Sequence, residues 1–181
     1  MLLVPSDPSW PQRFEEFAAS IRAAGADGWV VEHIGSTAIP GMSTKPIIDL
    51  AVRMNTPGEY EASRSELEAV GWRAGSGVRT HPVMIMAPAG ERLAIAHFFT
   101  AGDWDLVPQR LLRDWLRTHP DDAERYERVK REAARAASER QISYNAAKTA
   151  VIQEIVDKAR EARGLEPVDV DDKRRAGPFM R

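Results

Sequence analysis

Apolar residues recur along this chain with two periods, and the changes of period mark its elements. Residues 29–34 are aromatic and β-branched, and 47–52 are almost unbroken apolar, as in strands buried on both faces. Ahead of them, Asp7-Pro8 predicts a helix start, with the aspartate as cap and the proline in the first turn. Trp10, Phe14, Phe17, Ala18 and Ile21 then mark one helical face, which Gly25 ends. Thr56-Pro57-Gly58-Glu59 has capping-box form and predicts a helix running to Gly71. From 72 to 100 the pattern shortens to strands, best at 82–86 and 93–99, divided by Pro88-Ala89-Gly90. Helices are predicted at 104–119, 120–138 and 142–163. The order α-β-β-α-β-β-α-α-α is a mixed α+β pattern with a helical C-terminal segment. It predicts one domain over residues 1–163. The charged stretch 164–181 has little to bury and is expected to be a mobile tail.

Composition narrows the class. At 181 residues the chain is long enough to bury one core without staples, and with no cysteine it can form neither disulfides nor thiolate metal sites. No apolar run approaches the roughly 20 residues of a membrane span, and the first ten residues lack the pattern of a secretory signal. A net charge of −2, from 25 basic and 27 acidic side chains, gives no long-range pull toward nucleic acid or an anionic membrane. The expectation is a cytoplasmic protein with neither as partner.

Candidate chemistry centres on the link between the first two strands. Gly35-Ser36-Thr37 joins them with a turn whose backbone N–H groups and hydroxyls suit a phosphate. A tight turn needing glycine accounts for the same residues. Twelve residues lie between Ser36 and Asp49, an aspartate inside an apolar run. A carboxylate there must be paired, metal-bound or at the strand's solvent edge, because burying it alone is costly.

This arrangement resembles the nucleotidyltransferase superfamily, whose pattern is Gly-Ser, a spacer, then two carboxylates either side of an apolar residue. More closely, the HIGST…PG…KPIID block of residues 33–49 resembles the GrpB family. So do Arg113-Asp114-Trp115-Leu116-Arg117, His119-Pro120, Tyr126…Lys130 and Tyr144…Lys148, so that the likeness runs from about residue 10 to 162. It implies a nucleotidyltransferase-like mixed sheet flanked by helices, with the motif at its centre. It also implies a nucleotide or phosphorylated small molecule as ligand, with Gly35 and Ser36 at the triphosphate and Asp49 on Mg²⁺ or Mn²⁺. The reaction implied is transfer of a nucleoside monophosphate to a small acceptor. The chain departs from the superfamily pattern at Ala51, where the second carboxylate is expected, and 93–99 carries no third. A non-catalytic accessory module, connected by family analogy with coenzyme A biosynthesis, is the alternative.

Other residues extend the candidate site. His33, Asp49 and His97 would make a mixed nitrogen–oxygen set suited to Mn²⁺ or Zn²⁺, although each histidine also reads as a hydrogen-bonded core residue. Tyr126/Lys130 and Tyr144/Lys148 share an i, i+4 spacing that stacks each pair on one helix face, and both lysines fall on apolar stripes. They are candidate phosphate contacts, or packed stems with ammonium groups at the rim. Lys45, just before the Asp49 strand, is a third. Arg110, Arg113 and Arg117 are expected as an exposed arc, largely neutralised by nearby acids. His81 and His119, each followed by proline, read as boundary residues.

Overall fold

The computed structural model describes residues 3–75, 80–138 and 144–170, with backbone alone for 138 and 144–147. The last eleven residues of the expected tail and the side chain of Tyr144 thus lie outside the described residues. The first helix, α1 (Trp10–Ala24), begins later than Asp7-Pro8 predicts. Asp7 Oδ1 accepts the Ser9 N–H at 2.8 Å and Trp10 N–H reaches Asp7 O, so these residues form a turn leading into the helix. Strand β1 (Val30–Ile34), a 3-10 turn (Ser36–Ala38) and strand β2 (Ile48–Met54) follow.

The helix predicted up to Gly71 is two short ones, α2 (Glu59–Ala62) and α3 (Arg64–Ala69), broken at Ser63. Glu59 does reach back as a capping carboxylate, accepting from Asn55 N and Trp29 Nε1. Three strands come next, β3 (Trp72–Ala74), β4 (Val83–Met86) and β5 (Ala94–Thr100). Helices α4 (Pro108–Thr118), α5 (Pro120–Ser138) and α6 (Tyr144–Glu161) complete the chain. Residues 104–106 make a separate 3-10 turn, because Pro108 leaves Val107 extended.

The sheet order is β1-β2-β5-β4-β3, with β2 and β5 parallel and the other pairs antiparallel. The motif is therefore not central: β1 is an edge, and β2 is the next strand in. Register divides the residues between two faces, because directly opposed residues share a face. Leu50, Val52, Ala96, Phe98 and Met84 pack with Trp10, Phe14, Ala18 and Ile21 of α1 into the main core. The opposite face carries Ile34, Asp49, Ala51, His97 and Phe99. A cavity of about 690 Å³ lies between that second face and α4, α6 and residues 168–170. Among the described residues no helix is long and apolar enough to cross a membrane.

Candidate functional site

The turn after β1 is built around one contact. Gly35 adopts φ 71° and ψ −174°, a backbone conformation closed to side-chain-bearing residues. Asp49 is paired with Ile34 across the ladder, which brings its carboxylate against the next residue. A Cβ at position 35 would lie 2.3 Å from Asp49 Oδ2. Glycine is needed here twice over, for the dihedral and for the space. The first N–H groups of the following 3-10 turn have no partner within it. Ser36 lines the cavity, whereas Thr37 is buried, its hydroxyl engaged by His33 Nε2 at 2.9 Å and by Ile47 O. Thr37 braces the turn from behind.

Asp49 lines the cavity, and the desolvation of that position pushes its carboxyl up to about 6. Lys148, Lys45 and Arg92 oppose the rise, so three cations act on one carboxylate. Lys148 comes from α6 and lines the cavity. Lys45 is drawn down to about 8 by burial first, then by repulsion from Lys148 and Arg92. Sequence reading missed Arg92. It sits two residues before Ala94, whose pairing with Ile48 brings that end of β5 beside Asp49, and strand order is not written in local pattern.

Lys130 has a different station. Its side chain is fully buried rather than at the rim, with Nζ donating to Ser43 O at 2.8 Å and lying 5.0 Å from the Tyr126 ring centre. Burial, then repulsion from Lys148, brings its ammonium down to about 7. Glu127 accepts the Ser43 N–H at 3.0 Å, and Arg131 donates to Ser43 Oγ at 3.2 Å. One face of α5 thereby takes all three polar groups of Ser43, two residues from Lys45.

The histidines do not converge. His33 pairs with Leu50 on the α1 face, stacked on Phe14 at 4.8 Å with the rings 2° apart. Asp49 and His97 lie on the opposite face, so the set His33, Asp49 and His97 is not brought together. His97 stands beside Ala51, and its Nδ1 is 2.8 Å from Nε2 of His81. Both rings line the cavity, so His81 is more than a boundary residue.

Glu32, also opposite Ala51, is taken by Arg110 at 2.9 and 3.0 Å and by Arg113 at 2.7 Å. Two of the arginines expected as an exposed arc, Arg110 and Arg113, turn inward, and Arg113 also donates to His33 O; Arg117 stays exposed while donating twice to Ala38 O. The edge strand and turn leave acceptors there that need donors. Arg113 also pairs with Asp114, as its neighbour in sequence suggests.

Nucleotidyltransferases hold divalent metals with paired carboxylates. Here Ala51 replaces one, Glu32 is committed to two guanidinium groups, and Asp49 faces three cations. Among the described residues no group of three His, Cys, Asp or Glu side chains could hold a metal ion. This donor set does not fit a two-Mg²⁺ centre. Residues 168–170 close one side of the cavity, where the Gln153 side chain meets Val168 O at 2.6 Å and Val170 N at 3.0 Å.

Comparison with known proteins agrees with this geometry at the level of family and fold. A UPF0157 protein of Pseudomonas aeruginosa is 36% identical over 166 residues, covering 88% of this chain and 68% of that protein. The crystal structure of conserved protein GrpB from Enterococcus faecalis superposes with a TM-score of 0.80 at 25% identity, covering 90% of this chain and 99% of that one. Terminal uridylyl transferase 4 from Trypanosoma brucei, solved with bound dUTP, matches at a TM-score of 0.55 and 11% identity. It covers 94% of this chain and 60% of its own, and shows the shared fold alone. With the GrpB protein family model matching residues 1–158, the chain belongs to the GrpB family.

Proposed function

We propose that the cavity binds a nucleotide or another phosphorylated small molecule, with its phosphates at the Gly35–Ser36 turn between Lys148, Lys45 and Arg92. The observation that supports this reading is Lys148 beside Asp49 on the wall of a 690 Å³ cavity, with Lys45 and Arg92 near enough to act on the same carboxylate. A polyphosphate carries the charge that complements these cations. The Trypanosoma protein of the same fold was solved with a nucleotide, dUTP.

The reaction this arrangement suits is transfer of a nucleoside monophosphate to a small hydroxyl acceptor. The acceptor oxygen attacks the α-phosphorus, pyrophosphate leaves, and the hydroxyl proton passes to Asp49. A carboxyl titrating near 6 is ionised at neutral pH yet more basic than an ordinary aspartate, as a general base requires. The lysines and Arg92 offset the charge on the phosphates.

The test is thermal unfolding against the four common nucleoside triphosphates, followed by product analysis with hydroxyl acceptors. A ligand at 100 times its Kd stabilises by about 2.7 kcal/mol. The expected result is a shift in the native protein that is lost in Lys148→Ala. Asp49→Asn should keep or tighten binding while abolishing turnover. No shift with any nucleotide or sugar phosphate would overturn the binding assignment, and undiminished turnover in Asp49→Asn would overturn the role of Asp49.

A further inference from the structure

The histidine pair on the cavity wall belongs to neither the phosphate contacts nor the turn. Thr80 Oγ1 is 2.8 Å from His81 Nδ1, and His81 Nε2 is 2.8 Å from His97 Nδ1. Those bonds use three of the four imidazole nitrogens. The fourth, His97 Nε2, has no hydrogen-bond partner among the described residues, and His97 faces the cavity. Phe99 backs the pair, with its ring 4.3 Å from that of His81.

The hydrogen bonds fix what His97 can offer. If Thr80 donates to His81, then His81 Nε2–H donates to His97 Nδ1, and His97 presents Nε2–H to the cavity. If the chain runs the other way, His97 Nδ1–H donates to His81 and Nε2 presents a lone pair. Either way the contact point is a neutral, oriented imidazole, because burial draws both rings down, to about 3 for His81 and about 4 for His97. An uncharged imidazole adds no positive charge to the attraction of a phosphate, but it is well made for a hydroxyl or the polar edge of a heterocycle.

Position supports the same division of labour. His97 is opposite Ala51, two residues along the sheet from the Ile95–Asp49 pair. A strand spacing of about 4.8 Å and a two-residue rise of about 6.7 Å separate the two backbone positions by ~8 Å. That is the span of a pentose between a phosphate and its base. We propose that the His81–His97 pair recognises the uncharged part of the ligand, a nucleoside's sugar hydroxyl or base edge, through His97 Nε2. This rests on the phosphate reading of the Asp49 end of the same cavity.

Inorganic tripolyphosphate and the four nucleoside triphosphates, titrated calorimetrically against native protein and two variants, provide the test. His97→Asn keeps an amide where Nδ1 meets His81 but removes the cavity-facing atom. His97→Gln does the reverse. Whichever nucleotide binds most tightly should lose about tenfold in affinity in His97→Asn, the worth of one neutral hydrogen bond, and much less in His97→Gln. Tripolyphosphate should bind both variants as it binds native protein, and unfolding without ligand reports that His97→Asn is folded. Equal losses for tripolyphosphate and nucleotide, or no loss for either, would overturn the inference. Native protein that binds tripolyphosphate as tightly as every nucleotide would overturn it too, while leaving the phosphate end standing. Failure to bind either probe would bring down the phosphate reading and this inference together.

Discussion

The carboxylate of Asp49 occupies the space that a side chain on Gly35 would require, with Oδ2 2.3 Å from the position of a Cβ. The glycine and the aspartate are therefore one feature seen at two places in the chain. Each constrains what the other can be.

Gly35→Ala should destabilise the protein by about 2–5 kcal/mol, combining the dihedral cost with overpacking. Adding Asp49→Ala should return the overpacking share, about 1–3 kcal/mol, and leave the dihedral cost behind. Urea unfolding of the two single variants and the double variant measures that coupling directly. Additive losses would mean the contact is not the reason for the glycine.

Stability should depend on pH through Asp49. Its folded value, about 6, lies above the ordinary aspartate value of 3.8, so between those limits the folded state holds a proton that the unfolded state has lost. Stability contributed by the protonated carboxyl is fully present below about pH 4 and is lost as pH rises through 6. Asp49→Asn should accordingly stabilise the protein by about 1–3 kcal/mol at pH 7.5 and by little at pH 4. Equilibrium unfolding at the two pH values checks the sign.

The two lysines on neighbouring helices should separate cleanly. Lys130→Ala removes a fully buried stem and leaves Ser43 O without its donor, so a loss of about 2–4 kcal/mol in folding stability is expected. Lys148→Ala, on the cavity wall, should cost less than about 1 kcal/mol of stability while weakening nucleotide binding at least tenfold. Chemical unfolding and ligand titration on both variants distinguish the roles.

Glu32→Gln should be disproportionately damaging. It would leave Arg110 and Arg113, with side chains only 14% and 9% exposed, short of their shared counter-charge. Breaking one side of a buried ion pair typically costs about 3–5 kcal/mol. Unfolding free energy is the readout, and a loss under 1 kcal/mol would show that solvent reaches those guanidinium groups.

Much of the site was legible because it is local. Gly35, Ser36 and Asp49 stand at the ends of two successive strands, and periodicity alone placed those strands within a residue or two. Lys148 was legible from its stripe on a long helix. The inward arginines, Arg92 and the His81–His97 pair were not, because their meaning depends on which strands are neighbours and in what register. The parallel pairing of β2 with β5 crosses 45 residues of sequence and leaves no local mark. Glu32 and His33, neighbours on β1, point to opposite faces, and local alternation does not say which of them shares a face with Asp49.

Ser43 carries one last implication. Its N–H, carbonyl and hydroxyl are answered by Glu127, Lys130 and Arg131 of a single helix, far along the chain from the motif. Together with the two hydrogen bonds between Val4 and Thr44, α5 thus fixes the segment joining the turn to the Asp49 strand. A fragment ending at the sheet would keep Gly35, Ser36 and Asp49 yet lose the helix that holds Ser43, two residues from Lys45. The sheet and its C-terminal helices build the candidate site together, and recombination between them would cut through it.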